Sequence, residues 1–183
     1  KVGLGFGALT FGYAVVMAAF SGFTAGGGMQ VTEQHEWISA FGANWALGID
    51  GLSMLMVLLT VSLVPLVMLA SWSDSEQGKP RSFFAWTLLL TAASLLVFTA
   101  TDVFLFYVVF EASLIPAYFL VSGWGRDNRS RAATKFLLFQ LAGGLVMLAA
   151  VVGLYAAAAS AGEPSFLIGD LAALDLDPTV EKW

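Results

Sequence analysis

The stretch VFLFYVVFEASLIPAYFLVSGW, residues Val103–Trp124, decides how the chain is read. It is 22 residues long, apolar almost throughout, and carries a single charge, Glu111. About 20 predominantly apolar residues suffice to cross a bilayer as a helix. Four charge-free runs flank it: Val2–Phe20, Gly51–Ser73, Ser82–Thr101, and Phe136–Ala159 after Lys135. None shows the polar face of a helix in a soluble bundle. Hydrophobic residues make up 58% of the 183-residue chain and charged residues 11%, against about 25% charged in a soluble domain. The sequence predicts an all-α, polytopic transmembrane helix bundle with five spans: Val2–Phe20, Gly51–Trp72, Ser82–Ala100, Val103–Trp124 and Phe136–Ala159.

Charge sets the orientation. With the N-terminus inside, the inner segments hold Lys1, Lys79, Arg81, Arg126, Arg129, Arg131 and Lys135. Those are seven of the eight basic residues, the pattern expected of cytoplasmic loops. The expected organisation is a first span over residues 1–20 and an extracytoplasmic loop over 21–46. A four-helix membrane part over 47–160 follows, then an outer loop over 161–183 that leads to helices outside this chain. Ser21–Gly28 is glycine-rich and reads as a flexible linker rather than a phosphate cradle. No small-residue cleavage motif follows span one. Asp50 before Gly51-Leu52-Ser53 reads as a helix N-cap, and a very tight turn is expected at Asp102. Trp37, Trp45, Trp72, Trp86 and Trp124 suit the membrane–water interface. Gly3/Gly7, Ala8/Gly12 and Ala149/Gly153 are small-residue pairs suited to helix packing.

Composition also excludes functions. A net charge of −5 speaks against nucleic acid, which wants a basic face. Zero Cys removes thiolate metal sites, iron–sulfur ligation and Cys nucleophiles, and one His makes a poor zinc site. No metal and no cofactor is expected on this chain.

Glu111 is the informative residue. It lies nine positions after Asp102, about 13 Å into a hydrocarbon layer about 30 Å thick. An acid at that depth is costly, at least about 2.5 kcal/mol on the most lenient scale, and generally faces a bundle interior or a hydrated cavity. Tyr107, Tyr118 and Ser122 fall within about 40° of it around the helix at 100° per residue, forming one polar seam. Pro116 frees the Ala112 carbonyl, an invitation to water or a kink. No other span offers a cation at mid-depth. Lys135, counted from Trp124, is expected about 20 Å away in depth, as an interfacial anchor or a member of a polar network with Arg126, Arg129 and Arg131. The partner of Glu111 is therefore expected elsewhere in the protein or on another subunit. The alternative is a neutral Glu111 that holds a structural bundle together.

Phe110-Glu111-Ala112-Ser113-Leu114-Ile115-Pro116-Ala117-Tyr118-Phe119-Leu120, followed by Trp124-Gly125, resembles the glutamate helix of the antiporter-like membrane subunits of respiratory complex I, most closely the M-type subunit. Arg131-Ala132-Ala133-Thr134-Lys135-Phe136, Gly144-Leu145-Val146-Met147-Leu148 and Gly48-Ile49-Asp50-Gly51-Leu52-Ser53 agree with it. The resemblance covers roughly Trp37 to Tyr155 and implies an N-terminal piece that begins at the family's second helix. It implies a multi-pass protein of the cell inner (plasma) membrane that translocates protons as a non-redox subunit of NADH:quinone oxidoreductase. Its partners would be other membrane subunits, lipid and protons. Glu111 would be the proton-transferring carboxylate, with Tyr107, Pro116, Tyr118, Ser122 and Lys135 supporting a polar path. The Lys partner of the Glu and the redox groups would lie outside this chain. A subunit of a multisubunit Na⁺/H⁺ antiporter or of a membrane-bound hydrogenase shares the same features.

Overall fold

A computed structural model describes residues 2–20, 28–72, 80–160, 162 and 164–173. The Gly-rich stretch over 21–27, most of the loop after Trp72 and the acidic tail from 174 lie outside the described residues.

Five long helices form the body: α1 (Val2–Phe20), α2 (Gly51–Ala70), α3 (Pro80–Thr99), α4 (Val103–Trp124) and α5 (Arg129–Ser160). Each is long and apolar enough to cross a membrane, so the chain is a multi-pass membrane protein. Four of the five agree with the expected spans to within about two residues. The fifth starts at Arg129 rather than Phe136. Arg129, Arg131 and Lys135 are good helix formers and nothing between them breaks a helix, so the helix extends past the apolar run. At 32 residues it is about 48 Å long, more than the hydrocarbon needs, and its first two turns carry the charges.

Chain neighbours pack as spatial neighbours, α1 on α2, α2 on α3, α3 on α4 and α4 on α5. Successive helices run antiparallel: Trp72 at the end of α2 meets Phe84 at the start of α3, and Phe83 meets Trp124 at the end of α4. Buried positions recur at intervals of seven, Gly7 and Ala14 in α1, Met54, Val61 and Met68 in α2, Gly144, Val151 and Ala158 in α5. That interval keeps one seam facing its neighbour and accompanies shallow left-handed crossings. Of the three small-residue pairs, only Gly3/Gly7 meets another helix, Gly3 against Phe84 and Gly7 against Pro65. Gly12 and Gly153 have nothing within 4 Å where a side chain would start.

The segment expected as a loop is instead partly a β-hairpin. Strands β1 (Val31–Ile38) and β2 (Ala43–Ile49) pair antiparallel from Val31↔Ile49 to Ile38↔Ala43, with a bulge at Glu36/Ile38. A single 3₁₀ turn, Ser39–Phe41, joins them. Gly42 closes it at φ +68°, a left-handed conformation, with the Pro164 carbonyl 3.1 Å from where a Cβ would stand. Both requirements select glycine.

The hairpin is not a free flap. Thr101 N donates to the Ala46 carbonyl at 3.0 Å, Val103 N to Phe166 at 2.8 Å and Ile168 N to Thr101 at 2.9 Å. The α3–α4 turn is thus sandwiched between β2 and residues 166–168, which lead into a short helix, α6 (Ile168–Ala172). The three segments expected on the outer side therefore gather at one end of the bundle. Trp37, Trp45, Phe104, Tyr155 and Phe166 form an aromatic layer there. Trp72, Phe83, Phe84 and Trp124 form one at the basic end. Trp86, further along α3, stacks on Phe119 at 4.5 Å.

Candidate functional site

Two aspartates cap helices at the hairpin end, and one of them, Asp102, starts the helix that carries Glu111. Asp50 Oδ1 accepts from Ser53 N at 2.7 Å, the expected N-cap of α2. That hydrogen bond holds the Asp50 carboxyl below the usual carboxylate range. Asp102 does more than turn the chain. It is fully buried, Oδ1 accepts from Leu105 N at 2.9 Å to cap α4, and Oδ2 accepts from Asn44 N at 2.9 Å on β2. One carboxylate ties the start of the glutamate helix to the hairpin. Its two oxygens, each accepting, match the two backbone donors.

Helix α4 presents two faces. Leu105, Val109, Leu114 and Pro116 are buried, with Leu105, Val109 and Pro116 on one side of the helix and Leu114 near the opposite one. Tyr107, Glu111, Tyr118 and Ser122 share the side away from Leu105, Val109 and Pro116, and of these Tyr107 and Glu111 lie against α5. Glu111 thus lies in the α4–α5 groove. Glu111 is half-buried, and its Oε1 is buried with no hydrogen-bond partner among the described residues. The carboxyl lies against Gly144 of α5. A Cβ built there would stand 2.6 Å from Glu111 Cδ and 3.1 Å from Oε2, with Oε1 closer still.

The remaining candidates take separate places. Tyr107, one turn toward the hairpin, packs against the apolar cluster of Ala43, Val151 and Phe166. The Tyr118 ring meets Phe119 edge-on at 5.5 Å. Ser122 Oγ donates to the Phe119 carbonyl of its own helix at 3.3 Å, and Ser113 Oγ to Phe110 at 2.6 Å. Pro116 is buried. Among the described residues no hydrogen bond joins Glu111 to Tyr107, Tyr118 or Ser122. Lys135 is exposed, nine residues from Gly144 on α5. That is about 13 Å along the axis and half a turn around it. The separation is shorter than the 20 Å expected because α5 begins at Arg129, leaving Lys135 inside the helix rather than at its start. Half a turn of phase keeps it off the Glu111 face.

Gly144, part of the motif that carries the resemblance, is a site residue to which the sequence assigns no role. The Gly143-Gly144 doublet in an apolar helix was its signal, since glycine lets a neighbour approach the backbone. Gln140, one turn toward the basic end, is half-buried on the same face.

Five apolar helices, with an acid between two of them whose buried oxygen has no hydrogen-bond partner among the described residues, define a polytopic membrane protein. Residues 100–166 match the family described as NADH:quinone oxidoreductase/Mrp antiporter, TM. Residues 11–99 match NADH-ubiquinone oxidoreductase chain 4, amino terminus. The chain belongs to this antiporter-like family, in its M-type (chain 4) branch. NADH-quinone oxidoreductase subunit M of Mycobacterium tuberculosis is 42% identical over 166 residues, covering 75% of this chain and 30% of the relative. F(420)H(2) dehydrogenase subunit M of Methanosarcina mazei is 38% identical over 146 residues, covering 79% of this chain and 29% of the relative. A chain in the structure of respiratory complex I from Thermus thermophilus with bound NADH superposes with TM-score 0.80 at 34% identity. The match covers 96% of this chain and 35% of that one. The chain spans about a third of the length of the relatives it matches.

Proposed function

We propose that this chain is part of a proton-translocating membrane subunit of NADH:quinone oxidoreductase, with Glu111 as its intramembrane proton carrier. The observation that carries the reading is the Glu111 carboxyl, in the middle third of α4, with one oxygen buried and unpaired in the α4–α5 groove. An acid there has two accessible states. Low-dielectric surroundings favour the neutral acid, and an approaching cation favours the carboxylate. A cation that advances and withdraws would make the site release and regain a proton. No basic side chain of the described residues faces Glu111, so the answering cation belongs to a part of the protein outside these helices. Gln140, Tyr118 and water at the carbonyl freed by Pro116 would extend the path.

Redox chemistry and its cofactors are assigned to other subunits. The relatives are named for different electron donors, NADH or F420H2, which fits a subunit that handles protons only. The M-type relatives favour this reading over a Na⁺/H⁺ antiporter subunit. The proposed location is the cell inner membrane, among other membrane subunits and lipid. Glu111→Gln in the full-length protein tests the reading, because it keeps the shape and removes the titratable proton. Proton uptake into inverted vesicles should fall to a small fraction while the complex still assembles. Full uptake by the assembled variant would leave Glu111 as a structural group only.

A further inference from the structure

The carboxyl of Glu111 occupies the space where a side chain at position 144 would begin. The other buried positions of α5, Ala133, Val151 and Ala158, all carry a Cβ. The adjacent Gly143 faces open space, with nothing within 4 Å of a Cβ built on it. Glycine weakens a helix relative to alanine, so one buried in a helix of 32 residues calls for a local reason. At Gly144 that reason is the acid. Its Oε1 is enclosed, has no hydrogen-bond partner among the described residues, and abuts the α5 backbone.

We infer that Gly144 is a positioning residue for the Glu111 carboxyl: the missing side chain leaves the recess on α5 in which the acid lies. The inference rests on the reading of Glu111 as a proton carrier and adds the element that sets where its proton is held. A methyl group at 144 would meet Cδ at 2.6 Å, far inside van der Waals contact. The atoms it would meet all belong to the Glu111 carboxyl, so the carboxyl must shift from its present place. Proton transfer depends on placement within hydrogen-bond reach, so a displaced acid is an impaired one even with its chemistry intact. A purely structural role for Gly144 would make any added methyl harmful whatever stands at 111. A positioning role makes the harm depend on the length of the acid.

The test is made in the full-length protein within its assembled membrane complex. Gly144→Ala should lower proton pumping at least about tenfold. Glu111→Asp, shorter by one methylene, should retain part of the activity. The double variant Gly144→Ala/Glu111→Asp should pump as well as Glu111→Asp alone, because the shorter acid clears the new methyl. Pumping by Gly144→Ala at the unmodified level would overturn the inference. So would a double variant that pumps clearly less than Glu111→Asp alone. If Gly144→Ala fails to assemble, assembly restored in the double variant supports the inference, and assembly still lost overturns it. Glu111→Gln in the same series separates the two claims. Loss of pumping there together with an unaffected Gly144→Ala removes only the role of Gly144. Full pumping by Glu111→Gln removes the carrier role and this inference with it.

Discussion

Asp102 is the junction whose removal should be felt furthest from its own position. Asp102→Ala takes away the cap of α4, worth about 1 kcal/mol. It also strands the Asn44 N–H, which now donates to Oδ2 at 2.9 Å in a partly buried place. An unsatisfied donor there costs about 1–3 kcal/mol. The two losses together come to about 3 kcal/mol, concentrated where β2, the α3–α4 turn and the start of α4 meet. Asp102→Asn keeps one acceptor oxygen and turns its amide toward the other donor, so about half of that loss is expected. Hydrogen–deuterium exchange of the membrane-embedded protein reads this directly. A loss of about 3 kcal/mol raises the local opening equilibrium about a hundredfold. Faster exchange should appear together at Asn44 and Leu105, while amides in the middle of α2 stay protected. Unchanged exchange at both amides in Asp102→Ala would refute the reasoning. Faster exchange at Leu105 alone would show a helix cap with no hold on the hairpin.

Asp50 gives a pH-dependent counterpart. Its carboxyl is held below the ordinary 3.8 by the Ser53 hydrogen bond. Its contribution is therefore complete above that value and fades as pH falls through the lower folded value. Asp50→Ala should cost about 1 kcal/mol at neutral pH, and thermal unfolding in detergent should show the difference from wild type shrinking only below about pH 4. Orientation is tested by a single Cys at Asn128, which should react with an impermeant thiol reagent from the cytoplasmic face; labelling from the outer face alone would reverse the topology. Neutralising Arg129 and Arg131 together should weaken that orientation, and it should lower assembly only if these charges also contact neighbouring subunits.

The helices were legible because the bilayer imposes a coarse requirement. Runs such as Gly51–Ser73 need only be long and uncharged, and the tight turn at Asp102 follows from the spacing of two such runs. What stayed hidden was set by tertiary contact. Val31–Ile38 carries Glu33, His35 and Glu36, and almost all of β1 is exposed, so no buried alternating face advertised a strand. The hairpin is held instead by β2, the α3–α4 turn and Phe166, a partnership across more than 100 residues that no local pattern encodes. Glu111 stood out because an acid in an apolar helix is expensive wherever it points. Gly144 did not, since a glycine in a membrane helix is ordinary until the group opposite it is known. Helical phase gathered Tyr107, Tyr118 and Ser122 on one face, but their hydroxyl partners depend on rotamers and neighbours that spacing does not set.

The central claim is that Glu111 binds and releases a proton during turnover. Infrared difference spectroscopy of the full-length complex, cycled between its resting and electron-driven states, observes that event as a carboxylic-acid C=O stretch. A C=O band should gain or lose intensity with the redox drive, be absent in Glu111→Gln, and shift in Gly144→Ala. A spectrum of Glu111→Gln identical to that of the unmodified complex would contradict it.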